Sequence, residues 1–251
     1  MHVRAFPGLA LLAALLFVSS GCPKRTQVSP VTDPAQGLQE ALSDLDAKRY
    51  SSAQERLTFV IFNYPGSEQA SDAQYYLAES YLQSGDYQQA ETEFDFYLKS
   101  FPNGRFQEQA TYKLALSYLR SAPGHTRDQT QAVKADELVD RFLDSYPESS
   151  LRPRAESLRA DIEQRLALKE FDAARLYFKS GEYKSALVYY RYVLDHHPDA
   201  RWTGRDRLQL GIAYLETGSI DKAREVLDAV ATGDYEPSIK QQARDRIGRL
   251  N

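Results

Sequence analysis

The sequence predicts an all-α fold, a right-handed superhelical solenoid of about five helix-turn-helix repeats. One observation is that four segments close with an aromatic residue or histidine followed by proline: Tyr64-Pro65, Phe101-Pro102, Tyr146-Pro147 and His197-Pro198. A second is that an alanine precedes each of these prolines by twelve residues: Ala53, Ala90, Ala135 and Ala186. A third is that in two of these segments a glycine stands two residues before the first tyrosine: Gly85 before Tyr87, and Gly181 before Tyr183. Regular landmarks of this kind are typical of a repeat protein.

Each landmark has a physical role in a helical hairpin. Glycine ends the first helix because it readily adopts the left-handed backbone conformation. The small alanine side chain lets the two helices approach closely, and proline ends the second helix because it has no N–H to donate. A partial fifth copy, with Gly218 and Ala223, lacks the closing proline. The closing prolines are 37, 45 and 51 residues apart, which places the basic unit close to the tetratricopeptide repeat of about 34 residues.

The remaining elements follow from departures from this spacing. Residues Ser121–Gln131 of the third unit are rich in turn-forming residues and predict an inserted loop. The segment Leu151–Lys179 has no glycine or proline after Pro153, which predicts one long helix in the fourth unit. Residues 236–249 predict a final helix with a charged outer surface that caps the solenoid. We therefore assign residues 35–251 to one tetratricopeptide-like domain with a C-terminal capping helix.

The first residues have the pattern of a targeting segment. The apolar run Leu9–Val18 would rise only about 15 Å as a helix, whereas the hydrocarbon core of a bilayer is about 30 Å thick. Small residues follow this run, and then comes Cys22, the single cysteine of the chain. We therefore interpret residues 1–21 as a signal peptide. Because Cys22 has no second cysteine to pair with inside the chain, it is unpaired, paired with another chain or modified.

The junction at Cys22 resembles the lipobox of bacterial lipoproteins. In that family the cysteine carries a thioether-linked diacylglycerol and an N-acyl chain, and the resemblance implies the same for Cys22, with no other cofactor. Ser19 departs from the family pattern, which prefers leucine at this place. Pro23 replaces the aspartate that retains enterobacterial lipoproteins at the inner membrane, which implies sorting to the outer membrane. Residues 22–34 would then be a lipidated cysteine and a flexible linker. The alternative is an ordinary signal peptide followed by an incidental cysteine.

Composition and motifs exclude several classes of function. The chain has 42% apolar and 26% charged residues and a net charge of −4, with both signs mixed along it, so it offers no basic stripe for nucleic acid. His125 lies in the inserted loop, and the adjacent His196 and His197 would project too far apart on a helix to bind one metal together. The sequence contains no G-x-S-x-G, no H-E-x-x-H and no glycine-rich phosphate loop. We therefore expect neither a metal site nor an enzyme.

The closing motifs resemble those of one lipoprotein family. The units end in YP-G-S, FP-N-G and YP-E-S, and the pattern R-L-A-x-x-E at Arg165–Glu170 runs into A-x-x-Y-F-x-x-G-E-Y at Ala174–Tyr183. Together with the lipobox-like Cys22, these motifs resemble the BamD (YfiO-type) lipoproteins of the outer-membrane β-barrel assembly machinery. The likeness covers nearly all of residues 35–231.

The resemblance implies a lipoprotein that is attached to the outer membrane by its lipid alone and faces the periplasm. It implies a scaffold for the assembly and insertion of β-barrel proteins. Its partners would be the periplasmic domains of the barrel-assembly protein, other assembly lipoproteins and unfolded barrel peptides. The family's partner-contacting arginine aligns with Tyr189 here, and Arg191 follows two residues later. The alternative is a general periplasmic tetratricopeptide adaptor, similar to the coordinator of the Tol–Pal envelope system.

The first helices of stacked hairpins line the concave side of a solenoid, so their outward positions predict a groove for a partner or peptide. Counting from the landmarks gives Leu42, Tyr75, Glu79, Leu82, Tyr112, Leu116, Phe171, Arg175, Phe178, Arg205, Leu208 and Ile212. The same face includes Leu38, Leu45, Asp72, Gln109, Leu119 and Leu215. These positions are mostly apolar with a few charges, which suits an extended peptide or an amphipathic segment. The alternative is that part of this face packs on neighbouring units.

Overall fold

The structure is a computed structural model that describes residues 33–249, and every regular element within them is an α-helix. The helices are α1 (Pro34–Asp46), α2 (Tyr50–Asn63), α3 (Glu68–Ser84), α4 (Tyr87–Ser100), α5 (Gln107–Ser121), α6 (Thr130–Ser145), α7 (Arg152–Lys179), α8 (Tyr183–His196), α9 (Gly204–Glu216), α10 (Ile220–Thr232) and α11 (Pro237–Ile247). None of these described helices is both long and apolar enough to cross a membrane. The predicted signal peptide, Cys22 and the linker as far as residue 32 lie outside the described residues.

Consecutive helices form hairpins that stack one on the next. Each helix makes its main contacts with the helices directly before and after it, and helices two apart touch only slightly. The pairs α1/α2, α3/α4, α5/α6, α7/α8 and α9/α10 form five repeats, and α11 packs on α10 and α9 at the end. The predicted all-α helical solenoid is confirmed.

The turn inside four of the five hairpins has one residue in the left-handed conformation. Gly85, Gly181 and Gly218 have φ angles of 85°, 78° and 80°, as expected for glycines that end a first helix. In the first unit the same place is occupied by Lys48, with a φ of 57°. A side chain there costs conformational energy that glycine avoids. The first hairpin therefore has the same turn as the second, fourth and fifth hairpins, without the residue that favours it.

The closing pairs end the second helices as predicted. The helices α2, α4, α6 and α8 end one residue before the aromatic residue or histidine of the pair. That residue has a φ between −124° and −131° and a ψ between 48° and 62° in all four units. Residues before proline avoid the helical region, which explains the common geometry. The four landmark alanines are fully buried: Ala53, Ala90, Ala135 and Ala186.

The irregular third and fourth units take the form that their sequences predict. Residues 122–129 form a loop between α5 and α6, and α7 is one continuous helix of 28 residues. The capping helix α11 begins at Pro237, and its last turn carries Arg244 and Arg246. The start of α1 differs from the prediction, because Asp33 caps the helix and Pro34 is its first residue. The helix thus begins inside the segment assigned to the linker.

Two large cores meet along α7. The first contains side chains of α3–α6, such as Phe94 and Phe142. It also contains buried side chains from the first part of α7, the last of which is Ile162. The second begins on α7 at Ala167, includes Phe171 and extends to α8, α9 and α10. The first part of α7 therefore packs on the units before it, and the second part packs on the units after it. The long helix joins two halves of the solenoid.

Candidate protein-binding surfaces

Four residues of the predicted groove lie in the core. The exposed fraction is 4% for Tyr75, 1% for Phe171, 3% for Leu208 and 8% for Ile212. On the same predicted face, the structure also buries Leu38, Leu45 and Asp72. A first helix is enclosed both by its own second helix and by the second helix of the preceding unit. The prediction that these side chains face outward is therefore wrong. They pack between neighbouring helices instead.

Tyr75 shows how completely such a residue is used inside the fold. Its ring stacks on that of Phe106, with centroids 4.2 Å apart and planes at 15°. The Nζ of Lys113 donates a hydrogen bond of 2.8 Å to the Tyr75 hydroxyl and forms an ion pair of 2.5 Å with Glu79. Burial, followed by the nearby Glu79 carboxylate, raises the pKa of Tyr75. Tyr75 and Glu79 thus connect α3 to α5 through one lysine.

Arg175 also has a structural partner. Its Nε and Nη2 donate hydrogen bonds of 2.8 Å to the two carboxylate oxygens of Asp206, and its Nη1 donates one of 2.9 Å to Asp172. Asp206 is fully buried, and a buried carboxylate is stable in the fold only beside an opposite charge such as this guanidinium. The hydrogen bonds to Asp206 raise the pKa of Arg175. Arg175 therefore ties α7 to α9.

Three other predicted groove residues, Leu42, Glu79 and Leu116, line two separate clefts. The first cleft has a volume of about 300 Å³ between α1, α3 and α5, and its lining includes Leu42, Leu45, Tyr76, Glu79 and Lys113. The second cleft has a volume of about 380 Å³ between α5 and α7, and its lining includes Leu116, Leu119, Leu158 and Arg165. Of the remaining residues, Leu82, Tyr112 and Phe178 are half-buried against the cores, and Arg205 is exposed. The first-helix face offers two shallow clefts instead of one continuous groove.

An exposed apolar surface lies on the fourth hairpin instead. Val188 is 65% exposed and Tyr192 is 44% exposed one turn later on α8, while Leu176 on α7 is 63% exposed. We define the α8 apolar face as Tyr177, Val188, Tyr189 and Tyr192, because Leu176 projects about 100° away from Tyr177 on α7. Comparison of the repeats reveals it, because the position of Val188, two residues after the landmark alanine, carries a polar residue in the other units: Glu55, Thr92, Glu137 and Glu225. Sequence reasoning named only Tyr189 of this set.

Tyr189 lies at the centre of this face. Its ring stacks on that of Tyr177, with centroids 5.4 Å apart and planes at 11°, and the neighbouring Tyr177 raises the pKa of Tyr189. Arg191 is exposed and lies near Tyr214 on α9. Burial raises the pKa of Tyr214, and the charge of Arg191 partly offsets this effect. Two residues turn a helix by about 200°, so Arg191 does not share the surface of Tyr189. At Tyr189 the fourth hairpin therefore presents an aromatic surface.

Two more clefts lie between second helices, where sequence reasoning placed no site. The third cleft, about 470 Å³ between α4, α5 and α6, is lined by residues that include Leu98, Lys99, Tyr118, Lys134, Leu138 and Arg141. The fourth cleft, about 340 Å³ between α8, α9 and α10, is lined by residues that include Leu194, Trp202, Leu210, Tyr214 and Val226. Across residues 33–249, no group of three or more His, Cys, Asp or Glu side chains is placed to hold a metal ion.

Solved structures with similar folds are tetratricopeptide-repeat proteins. The TPR2AB domain of yeast Sti1 in its pHSP90 complex is 13% identical, with 86% of this chain and 84% of that chain covered and a TM-score of 0.49. A TPR repeats protein from Bacteroides fragilis is 16% identical, with 88% and 100% covered and a TM-score of 0.49. MamA from Desulfovibrio magneticus is 18% identical, with 79% and 93% covered and a TM-score of 0.39. Similarities of this size imply nothing about function.

The sequence itself matches one family. No curated protein matches the chain. A family model described as YfiO, outer membrane lipoprotein, matches residues 31–228. The resemblance inferred from the closing motifs is thereby confirmed. Because the match covers most of the chain, this protein belongs to the YfiO family of outer membrane lipoproteins.

Proposed function

We propose that this protein is a scaffold in the assembly and insertion of outer-membrane β-barrel proteins, held at the periplasmic side of the outer membrane by lipid on Cys22. It binds other proteins and catalyses no reaction. The observation that carries the proposal is the α8 apolar face, which is exposed on a chain of this lipoprotein family. Exposed apolar side chains grouped on one surface of a soluble domain are typical of a protein interface.

The anchor follows from the chemistry of the N-terminal segment. Acyl chains on Cys22 would each contribute about 0.8 kcal/mol per buried CH₂, so three chains would hold the protein firmly at the bilayer. The linker of about a dozen residues would span at most about 40 Å when extended. The solenoid would therefore stay close to the membrane while its surfaces remain open to periplasmic partners.

The partner at the α8 apolar face is a folded periplasmic domain of the barrel-assembly protein. Aromatic side chains supply much of the binding energy at protein interfaces, because they bury a large area with few rotatable bonds. Tyr177 and Tyr189 are already held in a stack, so little side-chain freedom is lost on binding. We expect the partner to present apolar side chains to this face, in contrast to the acidic group that an arginine would require.

The two clefts on the first-helix face are the sites where unfolded barrel peptides would bind. Their linings combine leucines with several charged side chains, such as Glu79 and Lys113 in the first cleft and Arg165 in the second. An extended peptide of alternating character could place apolar side chains in the clefts and leave its polar side chains in water. Because the clefts are shallow, we expect weak and reversible binding.

A capture experiment from detergent-solubilised envelope tests the proposal. The tagged parent chain should retain the barrel-assembly protein. Val188→Glu introduces the residue that three other units carry at this position, so it should leave the fold intact while it places a charge in the interface. We expect this variant to lose most of the captured protein. The matched control, Thr92→Glu, introduces glutamate at the same position of the second unit and should retain the barrel-assembly protein.

The outcomes separate the candidate functions. Absence of the barrel-assembly protein from the parent eluate would favour the general periplasmic adaptor over the assembly scaffold. Its presence with both variants would keep the assembly role and reject the α8 apolar face as the interface.

A further inference from the structure

Besides the helix α7, two histidine–carboxylate contacts join the halves of the solenoid. The first, which we call the first clamp, is on the loop between α5 and α6, where the Nε2 of His125 lies 2.8 Å from a carboxylate oxygen of Asp172 on the second part of α7. In the other, the second clamp, the Nδ1 of His197, which follows α8, lies 2.9 Å from a carboxylate oxygen of Glu163 on the first part of α7. Each histidine therefore comes from one half, and its carboxylate comes from the part of α7 that belongs to the other half.

The two clamps differ in burial, which decides their relative strength. The side chains of His197 and Glu163 are 12% and 15% exposed. Those of His125 and Asp172 are 37% and 42% exposed. Exposed ion pairs contribute little because water and salt screen them, whereas a partly buried pair is screened less. The second clamp is therefore the stronger contact.

The second clamp lies in a group of charged side chains. On α7, Glu163 has Asp161 and Arg159 nearby, and Asp136 and Asp140 come from α6. Burial, with smaller contributions from Glu163 and Asp140, raises the pKa of Asp136 to about 6. The loop that carries His197 has two more contacts with α7. The Arg201 side chain forms an exposed ion pair with Asp161, and the backbone N–H of Arg201 donates a hydrogen bond to the side-chain oxygen of Gln164.

The surroundings of the first clamp are simpler. Asp172 also accepts a hydrogen bond from Arg175, so its charge is balanced whether or not His125 is protonated. Lys169 on α7 and Asp128 on the loop add one charge of each sign nearby. The same loop is fixed independently of pH, because Arg165 donates a hydrogen bond of 2.9 Å to the carbonyl oxygen of Ala122.

We propose that the pairs His125–Asp172 and His197–Glu163 form a proton-sensitive clamp that fixes the angle between the two halves of the solenoid about α7. A histidine side chain ordinarily changes its charge between about pH 5 and 8. Below that range an imidazole is charged and attracts a neighbouring carboxylate. Above it, a neutral imidazole no longer attracts the carboxylate as an ion and keeps only a hydrogen bond to it. The continuous helix α7 and the contacts of Arg201 and Arg165 do not depend on the charge of the histidines and hold the halves in either state.

This inference does not depend on the identity of the partner. The first and second clefts lie in the first half or at its junction with α7, and the α8 apolar face lies in the second half. A change in the angle about α7 would alter the distance between them. The clamp would therefore set how one partner on the first half and another on the second half lie relative to each other.

Distance measurement between the halves of the full chain tests the clamp. Gln88 on α4 and Asp228 on α10 are exposed, and each can be replaced by p-acetylphenylalanine and spin-labelled through its ketone, which leaves Cys22 untouched. Pulsed dipolar spectroscopy then gives the distribution of label distances at about pH 5.5 and about pH 8. We expect a narrow distribution at the lower pH and a broader or shifted one at the higher pH.

Variants assign the response to the clamp. His125→Gln with His197→Gln keeps polar side chains that do not titrate, so the distribution should no longer depend on pH. The matched control is His196→Gln, because His196 is the sequence neighbour of His197 but stacks on Tyr192, with ring centroids 4.0 Å apart. This control should respond as the parent does. An identical distribution at both pH values in the parent overturns the proposal, and so does a pH response that persists in the double variant.

Discussion

Arg175 and Asp206 face each other through two parallel hydrogen bonds of 2.8 Å, one from each of two guanidinium nitrogens to each carboxylate oxygen. Asp206 is fully buried and accepts a further hydrogen bond from the hydroxyl of Thr203, which caps α9. This pair joins the long helix to the last repeat. Arginine suits it because a planar guanidinium matches a carboxylate in two places at once.

Replacement of Arg175 by methionine should destabilise the fold. The change keeps most of the apolar stem but leaves Asp206 buried without its main partner, and such a loss costs about 3 kcal/mol. Equilibrium unfolding in urea measures it. The control is Arg205→Met, since Arg205 is an exposed arginine on α9, next to Asp206, and should change stability by less than about 0.5 kcal/mol. Equal effects of the two substitutions would contradict the structural role of the pair.

Replacement of Lys48 by glycine should stabilise the first hairpin. Lys48 has a φ of 57°, and relief of this strain is partly offset by the greater freedom that glycine gives the unfolded chain. We expect a net gain of about 0.5 to 1 kcal/mol, measured as a shift in the midpoint of urea unfolding. The control is Lys184→Gly in α8, which should instead lose about 1 kcal/mol because glycine disfavours a helix. No gain at Lys48 would mean that the first turn is not strained.

Replacement of Asp136 by asparagine should change how stability depends on pH. Burial is the main cause that raises the pKa of Asp136 to about 6, above its ordinary value of 3.8. A raised pKa means that the folded chain binds this proton more tightly than the unfolded chain. The stabilising contribution is therefore complete below about pH 4 and is lost as the pH rises through about 6.

Asp136→Asn should accordingly raise the melting temperature above pH 7, where the parent must bury a charge. Because the side chain is only half-buried, the gain is about 1 kcal/mol, or about 2 to 4 °C. Thermal unfolding followed from about pH 4 to pH 8 should give a flatter profile for the variant. Glu137→Gln, at the exposed neighbouring position, should leave the profile as in the parent. A parallel shift of the whole profile in Asp136→Asn would rule out the titration of Asp136 as its cause.

The order of helices could be predicted from the sequence because a few landmarks have one physical role each. A proline ends a helix and a glycine permits a left-handed turn wherever they occur, so the closing pairs and Gly85 mark boundaries directly. The same rules predicted the long α7, which has no such residue after Pro153. The first turn was less obvious, because Lys48 adopts the glycine conformation without being glycine.

The surfaces were harder to predict, because helical periodicity identifies a stripe but not what covers it. Tyr75 and Phe171 have the spacing of an outward face, yet each meets aromatic rings from the neighbouring unit: Phe106 stacks on Tyr75, and Trp202 packs edge-on against Phe171. Only the three-dimensional stacking of units decides this. The exposure of Val188 could have been predicted from the other units, which carry Glu or Thr at its position.

Tyr189→Ala should weaken binding of the barrel-assembly protein's periplasmic domains about 10- to 30-fold. Tyr189 is central to the α8 apolar face, and loss of a central aromatic side chain at an interface ordinarily costs about 1.5 to 2 kcal/mol. Its stack with Tyr177 contributes only about 0.5 to 1.5 kcal/mol to the fold, so the variant should remain folded. Titration calorimetry with the purified partner domains measures the affinity, and circular dichroism verifies the helical content.

A second aromatic substitution separates a specific interface from general apolar attraction. Phe62 on α2 is 77% exposed, more than any residue of the α8 apolar face, and it lies in the first repeat. If the partner recognises the face around Tyr189, Phe62→Ala should leave the dissociation constant within about twofold of the parent, since residues outside an interface contribute little to it. If both substitutions weaken binding equally, exposure alone would govern the affinity, and the stacked tyrosines would have no special part in recognition.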